Sequence, residues 1–92
     1  MVETIVWTPK AKQELSSILS YWNHRNHSFT YSKKLLDKIN KIIDLLFEFP
    51  ELGNQAKFPN TRVIVIHKFL LFYQIKDNQL IVTSVRDGRR DE

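Results

Sequence analysis

Three runs near the C-terminus decide the fold: Arg62-Val-Ile-Val-Ile-His67, Phe69-Leu-Leu-Phe-Tyr-Gln-Ile75 and Leu80-Ile-Val-Thr-Ser-Val-Arg86. Each is dense in β-branched and aromatic residues, the composition that suits a pleated, half-buried surface. The middle run is apolar at successive positions, so it has no polar face to turn to water, and a central strand is predicted. Asp77-Asn78 separates the second run from the third. Both residues tolerate left-handed backbone angles, as a tight hairpin turn requires. A polar tail, Asp87-Gly-Arg-Arg-Asp-Glu92, follows the last run.

Upstream of these strands the period changes from two to 3.6. Val2 to Trp7 is a further short β candidate. Thr8-Pro9 then marks a helix start: threonine caps a free backbone N–H, and proline at the first helical position has no N–H to leave unpaired. Ala11, Leu15, Ile18, Leu19 and Trp22 form one apolar stripe, and the helix should fade at Asn23 to Asn26. Ser28 or Thr30 can cap a second helix with core positions Leu35, Ile39, Ile42, Leu46 and Phe49, widened by Leu36 and Ile43. Pro50 and Gly53 end it. The short linker favours an antiparallel hairpin, with Lys10 and Lys12 near Asp44 and Glu48. Glu51 to Asn60 reads as a loop.

The predicted order is β-α-α-β-β-β. Helices grouped on one face of a small, mainly antiparallel four-stranded sheet make an α+β fold. Ninety-two residues have interior enough for one domain, spanning 1–92. The composition, 42% hydrophobic and 26% charged, is that of a folded globule. With no cysteine, disulfides and thiolate metal sites are excluded, which fits a reducing cytoplasm. No run approaches the roughly 20 apolar residues of a membrane helix, so no membrane association is expected. His24 and His27 lack a third ligand nearby, and the chain has only two glycines. Neither a metal site nor a phosphate-cradling loop is predicted, and no cofactor is expected.

The net charge is +4, and the basic excess extends into the strand-rich half, with Lys57, Arg62, Lys68, Lys76, Arg86, Arg89 and Arg90 against Asp77, Asp87, Asp91 and Glu92. Such a half attracts polyanions or an acidic protein partner. Arg62, Lys68, Arg86, Asp87, Arg89 and Arg90 are the candidate partner-binding residues. The expectation is a positively charged edge on which Arg62 and the C-terminal arginines lie together.

Several motifs carry a family resemblance. Pro9-Lys-Ala-Lys-Gln-Glu-Leu15, with Ile18 and Tyr21 following, is similar to an Ala-x-x-Asp/Glu-Leu-x-x-Ile-x-x-Tyr helix. Leu46-Phe-Glu-Phe-Pro50-Glu-Leu-Gly53 is similar to a Leu-x-x-x-Pro-x-x-Gly corner. Thr61-Arg62 and the strand Phe69 to Ile75 are similar to an Arg followed by Leu-Phe-Tyr-x-Ile/Val, and Asp87-Gly-Arg89 to Asp/His-x-Arg. In this order and spacing the motifs resemble the RelE/ParE toxin superfamily over nearly the whole chain. The resemblance implies a growth-inhibiting toxin of a type II toxin–antitoxin system, of the kind linked to plasmid stabilisation, held inactive by a cognate antitoxin. It implies one of two targets: DNA gyrase for ParE-like members, or mRNA in the ribosomal A site for RelE-like endonucleases.

RNA cleavage needs a base for the 2′-hydroxyl, an acid for the leaving oxygen and cations for the phosphorane. Arg62, His67, Arg86 and Arg89 are the candidate catalytic residues. Arginine stays protonated and is a poor proton shuttle. Leu70 stands where RelE-like enzymes carry an arginine, and no tyrosine follows the final arginines. These departures lean the reading toward the ParE-like side.

Overall fold

The structure, a computed structural model, describes residues 1–88. Its elements run β1 (Thr4–Trp7), α1 (Pro9–Asn26), α2 (Thr30–Glu48), β2 (Asn54–Gln55), β3 (Arg62–Ile66), β4 (Phe69–Lys76) and β5 (Gln79–Asp87). The sheet has five strands in the order β1-β5-β4-β3-β2, with β1 parallel to β5 and every other pair antiparallel. The α+β arrangement is as expected, with five strands rather than four. The extra one, β2, pairs Asn54 with Val63 and Gln55 with Arg62 inside the stretch that reads as a loop. Two polar residues carry no periodicity, so only the neighbouring strand reveals them.

β4 is central and buried on both faces. Phe69, Leu71 and Tyr73 face the helices, while Phe72 faces the other way, and all four are buried. Leu35, Ile39, Ile43 and Leu46 of α2 meet this layer, with Leu80, Val82 and Val85 from β5. Burying one such side chain contributes about 1.5–3 kcal/mol. Phe49 departs from the expected core: it is 55% exposed, because α2 stops at Glu48 and the helical period ends with it.

α1 begins as the sequence predicts. Thr8 accepts the Ala11 N–H at 3.1 Å, and Pro9 takes the first helical position. The helix runs through Asn26 and closes on His27, whose φ of 52° is left-handed. α2 starts differently from expectation. Phe29 occupies the cap position with no side-chain bond, and Ser28 Oγ instead accepts the Thr30 N–H at 3.1 Å. The hairpin is latched by Ser32, whose hydroxyl donates to the Leu19 carbonyl (3.3 Å) and to Asn23 Oδ1. Among the described residues, Lys10 and Lys12 form no ion pair with Asp44 or Glu48; the ion pair on the helices is Lys41 with Asp37. The first turn of α1 is drawn to β5 instead, through Thr8.

That attachment closes an exposed edge. β1 stops at Trp7, opposite Val82, while β5 continues to Asp87. Beyond the end of β1, Thr8 N–H donates to the Val82 carbonyl (3.1 Å) and Thr8 Oγ1 to the Thr83 carbonyl (3.4 Å). Glu14 Oε1 accepts the Val85 N–H at 3.0 Å. The start of α1 thus supplies the hydrogen bonds a neighbouring strand would have made. Thr83 is the extra residue of a bulge, since Phe72 pairs with Ser84 and Tyr73 with Val82.

Candidate functional site

The helices cover one face of the sheet and leave the other open. Register assigns Val63 and Val65 of β3, Leu70 and Phe72 of β4, and Ser84 and Arg86 of β5 to the open face. The segment between β2 and β3 folds over part of it, closed by the Ala56 N–H on the Thr61 carbonyl at 2.9 Å. Phe58 from this segment meets Phe72 edge-on, with ring centroids 5.9 Å apart. The result is a groove of about 370 Å³ lined by Gln55, Ala56, Lys57, Phe58, Val63, Leu70, Phe72 and Arg86. Val65, at its margin, is 64% exposed.

Arg86 is fixed at this groove from two sides. Its guanidinium carbon lies 5.1 Å from the Phe72 ring centre and 5.6 Å from that of Phe58, a cation–π arrangement. Its Nε donates to Ser84 Oγ at 3.1 Å, and Ser84 Oγ donates to Glu14 Oε1 at 2.8 Å. Ser84 is buried. A carboxylate on α1 therefore orients a guanidinium on the far side of the strand, through one hydroxyl. Sequence reading assigns no role to Glu14, Ser84, Phe58 or Phe72 at this site. The available signal was a phenylalanine stranded in a polar loop, Lys57-Phe58-Pro59.

Arg62 has a different place. Its Nη1 donates to the Gly53 carbonyl at 2.7 Å and to the Glu51 carbonyl at 3.4 Å, tying down the corner after α2. It pairs in register with Tyr73, whereas Arg86 pairs with Leu70, three positions along β4. That separation is roughly 10 Å along the strand, and the two side chains leave opposite faces of the sheet. Arg62 and Arg86 thus do not share an edge, against the expectation, because the strand period sends them apart. Arg89 and Arg90 lie outside the described residues.

The remaining candidates gather at the β3–β4 turn and the end of β5. Gly88 N–H donates to the Lys68 carbonyl at 2.8 Å, and Asp87 pairs in register with Phe69. His67 is exposed with a left-handed φ of 57°. Lys68 folds back onto the helical hairpin, its ammonium 3.7 Å from the Trp22 ring centre and 5.7 Å from that of Tyr31. The turn therefore exposes His67, while the Lys68 ammonium lies over the Trp22 ring.

Lys57 and Arg86 are the ionisable side chains that line the groove. Tyr73, a phenol on β4 next to the groove-lining Phe72, points to the opposite face. Its hydroxyl donates to the Pro50 carbonyl at 2.8 Å and accepts the Gly53 N–H at 2.9 Å. Burial pushes its pKa above the ordinary phenol range, outweighing the lowering effects of the Gly53 bond and of Arg62. Among the described residues, the groove thus presents apolar surface and cations, without a carboxylate, imidazole or phenol to move a proton. No three histidine, cysteine or acidic side chains among the described residues come together as a metal-binding group. No helix among the described residues is long and apolar enough to cross a membrane.

The family model for the ParE toxin of type II toxin–antitoxin systems, parDE, matches residues 5–92, and the chain belongs to that family. Among solved structures, it is similar to the chromosomal ParDE system from P. aeruginosa, with a TM-score of 0.77 and 16% identity over 95% of this chain and 96% of that one. It is also similar to the YoeB–YefM complex from Staphylococcus aureus (TM-score 0.64, 18% identity, 94% and 95% covered). A third likeness is to the intact E. coli RelBE complex (TM-score 0.62, 19% identity, 95% and 98% covered). At these identities the likenesses speak to the fold. No curated protein sequence matches the chain.

Proposed function

We infer that this toxin inhibits growth in the cytoplasm by binding a macromolecular target rather than by cutting RNA, and that the target is DNA gyrase. The observation that supports binding is the character of the groove. Leu70 and Phe72 supply apolar floor and Arg86 one oriented cation, while the proton donors and acceptors of a ribonuclease are lacking among its described lining residues. A partner segment suited to it carries apolar side chains that reach Phe58, Leu70 and Phe72 and a carboxylate for Arg86. A cognate antitoxin with an acidic, amphipathic C-terminal segment would meet this description and keep the toxin silent. The choice of gyrase rests on the ParE family membership.

The test is a supercoiling assay with purified gyrase, with and without toxin. Loss of supercoiling and trapping of cleaved DNA are expected, and addition of the antitoxin should reverse both. Unimpaired supercoiling would remove gyrase from the reading. Induced expression followed by mapping of mRNA ends is the companion experiment: codon-linked cuts would replace the binding toxin by a ribosome-dependent endonuclease. Unchanged growth on induction would leave a non-toxic interaction module of the same fold.

A further inference from the structure

A second concentration of charge lies away from the groove, on the outer side of α2. Lys34, Lys38 and Lys41 stand at i, i+4 and i+7 and share one helix face. The β3–β4 turn brings His67 beside them. With Asp37 and Ile42 these residues line a cleft of about 390 Å³. Asp37 bonds Lys41 at 3.3 Å, but their side chains are 68% and 76% exposed, so solvent screens the pair. Residues 30–41 of α2 hold Lys33, Lys34, Lys38 and Lys41 against this single carboxylate.

These charges run against the helix's own dipole. α2 has no acidic residue in its first turn and no basic residue in its last, where Asp44 and Glu48 lie toward the end. Helix stability favours the reverse placement. A row of lysines kept on an outward face in spite of that preference is better suited to a ligand than to the helix. Ammonium groups act on phosphates as compact point charges. From Lys34 to Lys41 the helix rises roughly 10 Å, about the axial length of three phosphates on one strand of a duplex. His67 apart, no aromatic ring lines the cleft. Single-strand binding relies on aromatic platforms that stack bases, so the lining suits the backbone of a duplex.

We propose that the outer face of α2, with His67, is a contact site for the phosphate backbone of duplex DNA. The toxin then touches nucleic acid with one surface while the open sheet face engages a protein. This site is independent of the gyrase reading, and its test involves no gyrase.

The test is fluorescence anisotropy with the purified toxin and a labelled 20-base-pair DNA duplex across a salt series. Binding is expected to weaken with salt at a log–log slope of about −2.7, the value for three neutralised phosphates. The combined variant Lys34→Gln, Lys38→Gln, Lys41→Gln should bind at least tenfold more weakly and flatten that slope. A second triple variant, Lys10→Gln, Lys12→Gln, Lys76→Gln, removes the same charge elsewhere and should retain wild-type affinity. Circular dichroism checks that both remain folded. Equal losses in the two variants would overturn the site, because net charge alone would then explain binding. Single-stranded DNA or polyglutamate bound as tightly as the duplex by the wild-type protein would also overturn it.

Discussion

The phenol oxygen of Tyr73 lies 2.9 Å from the amide nitrogen of Gly53 and takes its hydrogen bond, while the same hydroxyl donates to the Pro50 carbonyl. One buried side chain on the central strand therefore anchors the corner through which the chain passes from α2 to the sheet. Arg62 adds its bond to the Gly53 carbonyl from the neighbouring strand. The corner positions β2 and hence the segment carrying Phe58, so the shape of the groove depends on a contact made on the opposite face.

Tyr73→Phe is expected to destabilise the fold by about 1–3 kcal/mol, because the Gly53 N–H loses its partner in a buried place. A urea titration checks this. The same residue sets an alkaline limit. Its folded-state pKa is raised above the ordinary phenol value, so the unfolded chain ionises first as pH rises through about 10. The stabilisation is complete below that pH and is lost as pH climbs toward the raised value. Wild-type stability should therefore fall more steeply than that of the Tyr73→Phe protein above pH 10.

Gly53→Ala tests the same corner by volume. A Cβ at this position would stand 2.7 Å from the Tyr73 hydroxyl and 2.9 Å from the Val63 carbonyl. Neither can yield without breaking the corner or the β2–β3 pairing. A loss of about 1–3 kcal/mol is expected from overpacking, read as a lower urea midpoint.

Glu14→Ala should open the edge of β5 beyond the end of β1. The Val85 N–H and the Ser84 hydroxyl lose their acceptor, at a cost of about 1–3 kcal/mol. Hydrogen exchange at Val85 should accelerate more than at Leu71, which stays inside the sheet. Glu14→Gln keeps an acceptor oxygen and should recover most of the protection.

Lys68→Met keeps the aliphatic stem and removes the ammonium above Trp22. A cation–π contact of this kind is worth about 0.5–2 kcal/mol, so a Tm lower by roughly 2–15 °C is expected for a chain of this size. Trp22 emission should shift as well, since its ring loses the adjacent charge.

Arg86→Ala tests the groove. If the partner places a carboxylate there, affinity for the antitoxin should fall by about 2 kcal/mol, some thirtyfold in Kd. Isothermal titration against the antitoxin C-terminal peptide measures it. Arg62→Ala should lower stability instead, with a smaller effect on that Kd, since its guanidinium serves the Gly53 corner.

Periodicity alone determined much of this protein. The stripe of α1, the core positions Leu35, Ile39 and Leu46 of α2, the Asp77-Asn78 turn and the burial of β4 are local consequences of side-chain spacing, legible because each repeats within a few residues. Tertiary structure decided the rest. β2 exists because β3 lies beside it, and Arg62 and Arg86 part because alternate strand positions face opposite sides. Glu14 acts on Arg86 across some seventy residues of chain, a relation no spacing encodes. Local backbone geometry repeats and can be read along the sequence; hydrogen bonds between distant segments depend on where folding brings them, so the groove came into view only with the fold.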